Sequence, residues 1–221
     1  MFKRLQKADE AEAGRWVKRA RLSPVSDPAI EYPEWYLHRW HFLPEGYLAP
    51  RSVALYRQRI ATVYNVWNER GVLRAVAGFV RAAGAARALE IGCGAGAGIA
   101  ALCELPGIRL TGVDLSPFMI EAARARLGDT GAELVHGDCT DLRFDSGQLD
   151  AVVAVHVLGH LPGHVAAAAA DEAARVLRPG GSLVVADHAW HRLPLAGWRQ
   201  VGRARVAGGV IQVRQFERPP A

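Results

Sequence analysis

Four glycines alternate with small residues in the stretch "ALEIGCGAGAGIAAL" (88–102), at Gly92, Gly94, Gly96 and Gly98. An apolar run typical of a strand precedes them, and an alanine-rich run typical of a helix follows. Glycine permits tight turns and lets a ligand approach bare backbone amides. The first turn of a helix adds unpaired N–H groups and a partial positive charge, which suit an anionic group. The spacing predicts a loop that binds a nucleotide-like ligand, and a plain turn is the alternative.

Carboxylates stand at the ends of three apolar runs. Glu90 lies in "RALEI" (87–91), Asp114 ends "RLTGVD" (109–114), and Asp138 follows "AELVH" (132–136) within "HGDCTDL". A carboxylate at the end of the second strand can accept hydrogen bonds from both hydroxyls of a ribose. At Asp138 the carboxylate can accept one from an exocyclic amine. Together with the glycines, these residues favour a nucleoside-containing ligand.

Histidines supply the candidate acid and base groups, because imidazole titrates near neutral pH. His156 and His188 end the predicted fourth and fifth strands and are the candidates for direct catalysis, and His160 and His191 are further candidates. For His160, packing within the "GHLP" turn is the alternative.

The spacing of His156, His160 and His164 is that of metal ligands on one helix. Gly159 and Pro162 interrupt such a helix, so the sequence predicts no metal site.

The order of elements predicts how these groups are positioned. From residue 86 onward, short β-rich runs, including "DAVVAV" (150–155) and "SLVVAD" (182–187), alternate with alanine-rich helical stretches at 117–127 and 164–177. Such alternation predicts a doubly wound, Rossmann-like α/β fold with a mainly parallel sheet. The last two runs flank "AGG" (207–209) and predict a terminal antiparallel hairpin. Ligands of such sheets bind outside the carboxyl ends of the strands.

Length and composition limit the number of domains and indicate the cellular location. With 221 residues and 50% apolar residues, the chain has enough material for one sizeable core. We divide it into a helical, aromatic N-terminal cap at 1–84 and a ligand-binding domain at 85–221. It contains no run of about 18 apolar residues, and its N-terminus has no apolar signal core, so a cytoplasmic location is expected. Three cysteines without CxxC spacing indicate reduced thiols.

Five motifs follow one another along the second half of the chain, namely "LEIGCGAG", "GVDLS", "GDCTDL", "VHVLGHLP" and "VLRPGG". Their order and spacing are those of a known enzyme family. Residues 85–190 thereby resemble the class I S-adenosylmethionine-dependent methyltransferases, notably the small-molecule group that includes ubiquinone and menaquinone methyltransferases. The resemblance implies a seven-stranded sheet and S-adenosyl-L-methionine as cofactor. It also implies that the N-terminal region covers the active site and shapes the substrate pocket.

The resemblance also implies roles for single residues. Asp114 would bind the ribose hydroxyls, Leu115 one adenine face, and Asp138 with Cys139 the adenine edge. His156 would lie near the transferable methyl, and Tyr64, in "VYN", would touch the donor. The methionine part would be held by Glu90, Gly92, Cys93, Gly94 and Gly96.

A nicotinamide-dependent oxidoreductase is the nearest rival. GxGxxG/A is satisfied by Gly92, Gly94 and Ala97, and Asp114 would serve a ribose in either fold. The chain has no Tyr-x-x-x-Lys, however, and the "GDCTDL" and "LRPGG" blocks favour the methyl donor. A non-catalytic binder of a nucleotide-like ligand is the third reading.

The acceptor class follows from motifs that the chain lacks. No Asn/Asp-Pro-Pro-aromatic motif follows the fourth strand, and neither a Pro-Cys nor a pair of glutamates of the arginine-methylating kind occurs. These absences disfavour nucleic acid and protein arginine and favour a small molecule, methylated by direct displacement without a metal. The aromatic set that could line its pocket, or simply pack the cap, is Tyr32, Trp35, Tyr36, Trp40, Phe42 and Tyr47.

The basic N-terminus is open to two interpretations. A helical reading of residues 1–22 gives a broken apolar face with seven basic residues around it, which predicts weak contact with an anionic membrane. Docking of Phe2 and Trp16 on the cap of the same chain is the simpler alternative. The oligomeric state is left open.

Overall fold

The structure, a computed structural model, describes residues 7–66 and 68–218, with the side chains of 42 and 59–66 outside that description. Seven strands form one sheet in the order β3-β2-β1-β4-β5-β7-β6. The first five strands of that order are parallel, and β7 pairs antiparallel with both β5 and β6. The bounds are β1 Arg87–Ile91, β2 Arg109–Asp114, β3 Glu133–His136, β4 Leu149–Val155, β5 Leu177–His188, β6 Arg199–Val206 and β7 Ile211–Glu217.

Six α-helices are present in the described part of the chain. They are α1 Glu10–Ala20, α2 Pro50–Val66, α3 Glu69–Ala82, α4 Ala97–Leu102, α5 Pro117–Leu127 and α6 Gly163–Val176. Several begin where the sequence offers a cap. The Ser116 hydroxyl accepts a hydrogen bond from the Met119 N–H, and Pro117 opens α5. Asp9 accepts one from the Glu12 N–H at the start of α1.

The predicted fold class is confirmed, including the terminal hairpin. The bounds of β1, β2 and α5 coincide with the predicted segments. β5 begins at Leu177 rather than near Ser182. It does so because Leu177 already pairs with Leu149 of β4, ahead of a register shift that precedes the regular ladder.

Apolar residues cover both faces of the sheet, as a doubly wound fold requires. On one face, Val72, Val76 and Val80 of α3 pack with Val184 and Val213 of the sheet. On the other face, alanines and Val176 of α6 pack with β-strand residues. The helix α3 therefore belongs to the core of the sheet, although it precedes residue 85. The boundary between a cap and a ligand-binding domain stays a prediction.

The N-terminal segment packs over the start of α5. Trp16, 2% exposed, lies in an apolar cluster with Leu115, Phe118 and Met119. The Ser116 hydroxyl donates to the backbone carbonyl of Tyr47 at 2.7 Å, which ties the cap to the end of β2.

The helix near the N-terminus is shorter than predicted. Residues 1–6 lie outside the described part, and Lys7 pairs with His38 in an isolated bridge, so α1 begins only at Glu10. No helix in the described residues is long and apolar enough to cross a membrane.

Candidate functional site

The strand order reverses between β1 and β4, and this switch point positions the site. β1 and β4 pair directly, with Ile91 opposite Ala154, so the glycine loop after β1 lies beside His156 after β4. Asp114 ends β2 on the other side of β1. Parallel pairing thus brings together three sequence-predicted groups that lie up to 64 residues apart, from Gly92 to His156.

The glycine loop has a backbone that side chains would disturb. Gly92, Gly94 and Gly96 have φ values of +60°, +52° and +76°, in the left-handed region that favours glycine. A Cβ on Gly92 would lie 2.6 Å from Val157 Cγ2, and one on Gly96 would lie 3.1 Å from the Cβ of Ala123 in α5. Gly92 therefore lets the Val157 side chain approach the loop, and Gly96 lets the loop pack on α5.

Glu90 is buried under this loop, 2% exposed. Burial raises the pKa of its carboxyl to about 8, opposed by a hydrogen bond from the Ile99 backbone and reinforced by the charge of Asp114. A Cβ on Gly98 would lie 2.1 Å from Glu90 Oε1. Its Oε2 has no hydrogen-bond partner among the described residues. An unpartnered carboxyl oxygen at this depth can accept a hydrogen bond from an ammonium group of a ligand, whose charge would favour ionisation of Glu90.

Asp114 is held by two backbone donors. Its Oδ2 accepts from the Gly94 N–H and its Oδ1 from the Ser116 N–H, each at 2.8 Å. Burial raises the pKa of Asp114 to about 6, and the two N–H donors oppose that shift. Each carboxylate oxygen keeps a further lone pair, so Asp114 can also accept from hydroxyls of a ligand.

A pocket extends from this loop past the ends of β2 and β3. Its wall includes Leu115, Asp138 and Cys139, so the structure brings together the three residues predicted to contact adenine. Oδ1 of Asp138 accepts from the backbone N–H and the hydroxyl of Thr140, both at 2.8 Å, which fixes the carboxylate in its turn. Burial raises the pKa of Cys139 to about 12, so its thiol stays protonated at neutral pH.

Aromatic residues of the N-terminal segment close the opposite wall of the pocket. Of the predicted set, Trp35, Tyr36, Trp40 and Tyr47 line it. Tyr32 instead lies with its hydroxyl 3.2 Å from His136 Nε2, and the Phe42 side chain lies outside the described part. Sequence reasoning missed His41 and Tyr56, which also line the pocket. His41 Nδ1 lies 2.6 Å from the Tyr47 hydroxyl.

Four histidines gather where β4 and β5 end. The ring centroids of His156 and His188 are 5.6 Å apart, and those of His160 and His191 are 5.1 Å apart. His156 and His160 line the pocket. His188 is buried and stacks on Trp190 with centroids 4.4 Å apart.

His156 combines an unusual backbone conformation with a lowered pKa. Its φ is +55°, which is rare for a residue with a side chain and recurs at functional sites. Burial lowers the pKa of His156 to about 4, with the nearby charge of Asp187 opposing that shift. Burial has the same effect on His160, whose pKa is also about 4. Both rings are neutral at pH 7 and can accept a proton or a metal.

Asp187 is the other group that sequence reasoning missed. It is fully buried at the end of β5, and His191 Nδ1 lies 2.7 Å from its Oδ1. The sequence did contain a signal for Asp187. It ends the apolar run "SLVVAD", directly before His188, just as Asp114 ends the run of the second strand. The predicted contact of Tyr64 falls on a side chain outside the described residues.

Comparison with known proteins finds a similar family over the site. Residues 89–185 match a family model described as "Methyltransferase domain". This region is similar to methyltransferase domains, as the sequence motifs predict. The match contains the glycine loop, Asp114, Asp138 and His156, so the matched region includes the switch point.

Curated relatives are similar over the same region. A phthiotriol/phenolphthiotriol dimycocerosates methyltransferase of Mycobacterium leprae is 40% identical over 105 residues, 46% of this chain and 37% of the relative. A demethylmenaquinone methyltransferase of Clavibacter sepedonicus is 37% identical over 110 residues, 49% of this chain and 44% of the relative. The matches span less than half the length of these relatives.

Solved structures share the fold. A 1,6-didemethyltoxoflavin-N1-methyltransferase of Burkholderia thailandensis, solved with 1,6-didemethyltoxoflavin and S-adenosylhomocysteine, has a TM-score of 0.58 at 19% identity and covers 78% of this chain and 91% of its own. A protein of Pyrococcus horikoshii has a TM-score of 0.57 at 19% identity, covering 74% and 91%.

The sequence predicts S-adenosylmethionine as the cofactor of this site. The residues present fit it, because the cofactor carries an ammonium group, a ribose and an adenine. Glu90 offers an unpartnered buried oxygen, and Asp114 offers lone pairs beside the loop.

Proposed function

We propose that the protein transfers a methyl group from S-adenosylmethionine to a small-molecule acceptor. The observation that carries the proposal is the arrangement at the switch point. Two neighbouring pockets share Gly92, Gly94 and His156 in their walls. One of them includes Glu90, and the other includes Asp114 and the aromatic wall of the N-terminal segment.

Within this proposal, the donor is held by residues that the sequence predicted. Glu90 and the loop around Gly92, Cys93 and Gly94 bind the methionine part. Asp114 binds the ribose hydroxyls. Leu115, Asp138 and Cys139 surround the adenine, and all three line the same pocket.

The bound cofactor supplies a methyl group already activated by a sulfonium, so the displacement itself needs no metal. The protein must align the acceptor with that methyl and exclude water. The aromatic wall of the pocket excludes water. An acceptor that arrives protonated needs a base.

We assign the base to His156, with His160 and His188 as the candidates packed around it. A neutral imidazole can take a proton from an acceptor hydroxyl or amine. The left-handed backbone of His156 projects this ring into the wall that the two pockets share. The burial that keeps His156 neutral also removes it from competing water.

The acceptor is proposed to be flat and aromatic. Trp35, Tyr36, Trp40, Tyr47 and Tyr56 line the pocket, and such rings bind flat molecules by stacking and edge contacts. The names of similar proteins support a small molecule, since one acts on a demethylmenaquinone and another has 1,6-didemethyltoxoflavin bound. The cytoplasmic location stays a prediction from the sequence.

Donor binding tests the proposal directly. We expect S-adenosylhomocysteine to raise the melting temperature and to bind in calorimetry, while NAD does neither. A radiolabelled methyl donor should then label a member of a panel of aromatic hydroxyl and amine compounds. Tight NAD binding without S-adenosylhomocysteine binding would support the oxidoreductase reading instead. If the donor binds but no compound is methylated, the result would support the third interpretation, a non-catalytic protein that binds a nucleotide-like ligand.

Weak contact of residues 1–22 with an anionic membrane stays a proposal. Burial of Trp16 removes one of its apolar anchors, so charge would have to provide most of the attraction. Sedimentation with anionic and neutral vesicles at low salt tests this contact. Equal, negligible binding to both vesicles would exclude it.

A further inference from the structure

A carboxylate and two imidazoles converge behind the acceptor pocket. Asp187 Oδ1 lies 2.7 Å from His191 Nδ1 and 3.9 Å from His160 Nε2. One ligand atom from each of these three residues lies within 4.8 Å of the others. His160 Nε2 is buried and has no hydrogen-bond partner among the described residues.

Backbone donors hold Asp187 in place. Its Oδ2 accepts from the Gly159 N–H at 2.7 Å, and its Oδ1 accepts from the His188 N–H at 2.9 Å. The carboxylate is 0% exposed. Arg214 on β7 lies close enough for their charges to interact, but no ion pair joins it to Asp187 in the described part of the chain. A buried carboxylate is normally paired with a cation or bound to a metal.

Gly159 makes room for this arrangement. A Cβ at that position would lie 2.0 Å from His191 Nδ1 and 2.6 Å from Asp187 Oδ2. Gly159, which argued against a helix from His156 to His164, is therefore the residue that lets His191 and Asp187 approach the turn after β4.

We propose that His160, Asp187 and His191 bind one divalent first-row transition-metal ion. Two imidazole nitrogens and one carboxylate suit zinc, iron, cobalt or nickel, whereas magnesium and calcium prefer oxygen ligands alone. Three protein ligands leave coordination positions open. His160 lines the acceptor pocket, so an open position would face the acceptor side.

The required movement is small. Ligand atoms around a tetrahedral ion lie roughly 3.3 Å apart at metal–nitrogen bonds of about 2.0–2.1 Å. The 3.9 Å contact of His160 must shorten and the 2.7 Å contact of His191 must lengthen. Turns of the imidazole rings provide both changes while the backbone donors keep Asp187 in place.

Sequence spacing did not reveal this site, because its three residues do not lie on one helix. His160 belongs to the turn after β4, and Asp187 and His191 come from β5 and the turn that follows it. An ion there occupies His160 and leaves His156 to act as the base. Its binding does not require the methyl transfer proposed above.

Calorimetry on untagged, chelator-treated protein tests the site with Zn²⁺, and the visible absorption of Co²⁺ reports the ligand set. We expect one ion per chain, with binding weakened at least about tenfold in His160→Ala and in His191→Ala, and no binding of Mg²⁺. His164→Ala is the matched control, because His164 is exposed on α6. Cooperative thermal unfolding shows that each variant is folded.

Two results would overturn the proposal. One is the absence of saturable Zn²⁺ and Co²⁺ binding to the wild-type chain. The other is undiminished binding in His191→Ala together with a loss in His156→Ala, which would point to the overlapping set of His156, His160 and His188. Both measurements use neither donor nor acceptor, so their failure is distinguishable from a failure of the methyl-transfer proposal.

Discussion

Replacing Asp114 by asparagine tests the donor site at its best-defined hydrogen bonds. Both carboxylate oxygens of Asp114 accept backbone N–H groups, from Gly94 and Ser116. In Asp114→Asn the side-chain NH₂ must face one of these donors, and the negative charge is lost. We therefore expect both the glycine loop and the binding of ribose hydroxyls to weaken.

The magnitude follows from the bonds that change. A hydrogen bond to a charged group contributes about 1.5–3 kcal/mol. Loss of that amount at the ribose raises the dissociation constant of S-adenosylhomocysteine roughly 10- to 150-fold. The unpaired loop N–H adds a loss of about 1–3 kcal/mol to the free energy of unfolding.

Asp150→Asn is the matched control. Asp150 Oδ2 also accepts two backbone N–H groups, from Ala86 at 3.0 Å and Arg87 at 2.9 Å, but at the opposite end of the sheet. We expect it to lower stability while leaving donor affinity unchanged. Calorimetry with S-adenosylhomocysteine and thermal unfolding of both variants measure the two effects. A folded Asp114→Asn protein with the wild-type dissociation constant would refute the reasoning and remove Asp114 from the site.

Three further predictions concern titration and catalysis. Because the pKa of Asp114 is about 6, we expect S-adenosylhomocysteine affinity to fall as pH drops through 6, and calorimetry from pH 5 to 8 checks this. The pKa of Glu90 is about 8 in the folded chain against an ordinary value of 4.5, so the stability of the wild-type protein should fall as pH rises between those values. Thermal melting of Glu90→Gln should show a shallower fall, and identical slopes for the two proteins would contradict this. We expect His156→Ala to lower turnover about 10²–10⁴-fold and to keep its affinity for the donor, whereas His164→Ala should keep wild-type turnover. Near-normal turnover in His156→Ala would mean that the reaction needs only alignment of the acceptor with the methyl group.

Local patterns were sufficient for much of the fold. β1 and β2 are short apolar runs bounded by glycine or charged residues, and Ser116 with Pro117 marks the start of α5. These signals act within a few residues, so they can be read without knowing which strands pair. The glycine loop was readable for the same reason, since three of its glycines need a left-handed backbone.

Long-range pairing decided the rest. His41 and Tyr56 line the acceptor pocket because the N-terminal segment packs over α5, more than 50 residues away in the chain. The start of β5 at Leu177 depends on an irregular pairing with Leu149 that no local pattern encodes.

The sequence by itself determined which residue types end each strand, because alternation, caps and glycines are local properties of the chain. It therefore predicted Glu90, Asp114 and His156 as chemistry-bearing groups. Only the tertiary structure placed Asp187 and His191 against His160, because β4 and β5 pair in parallel and the intervening α6 crosses between their ends. Sequence spacing predicts which side chains are close within one helix or strand. The cluster of His160, Asp187 and His191 depends instead on how two strands pair.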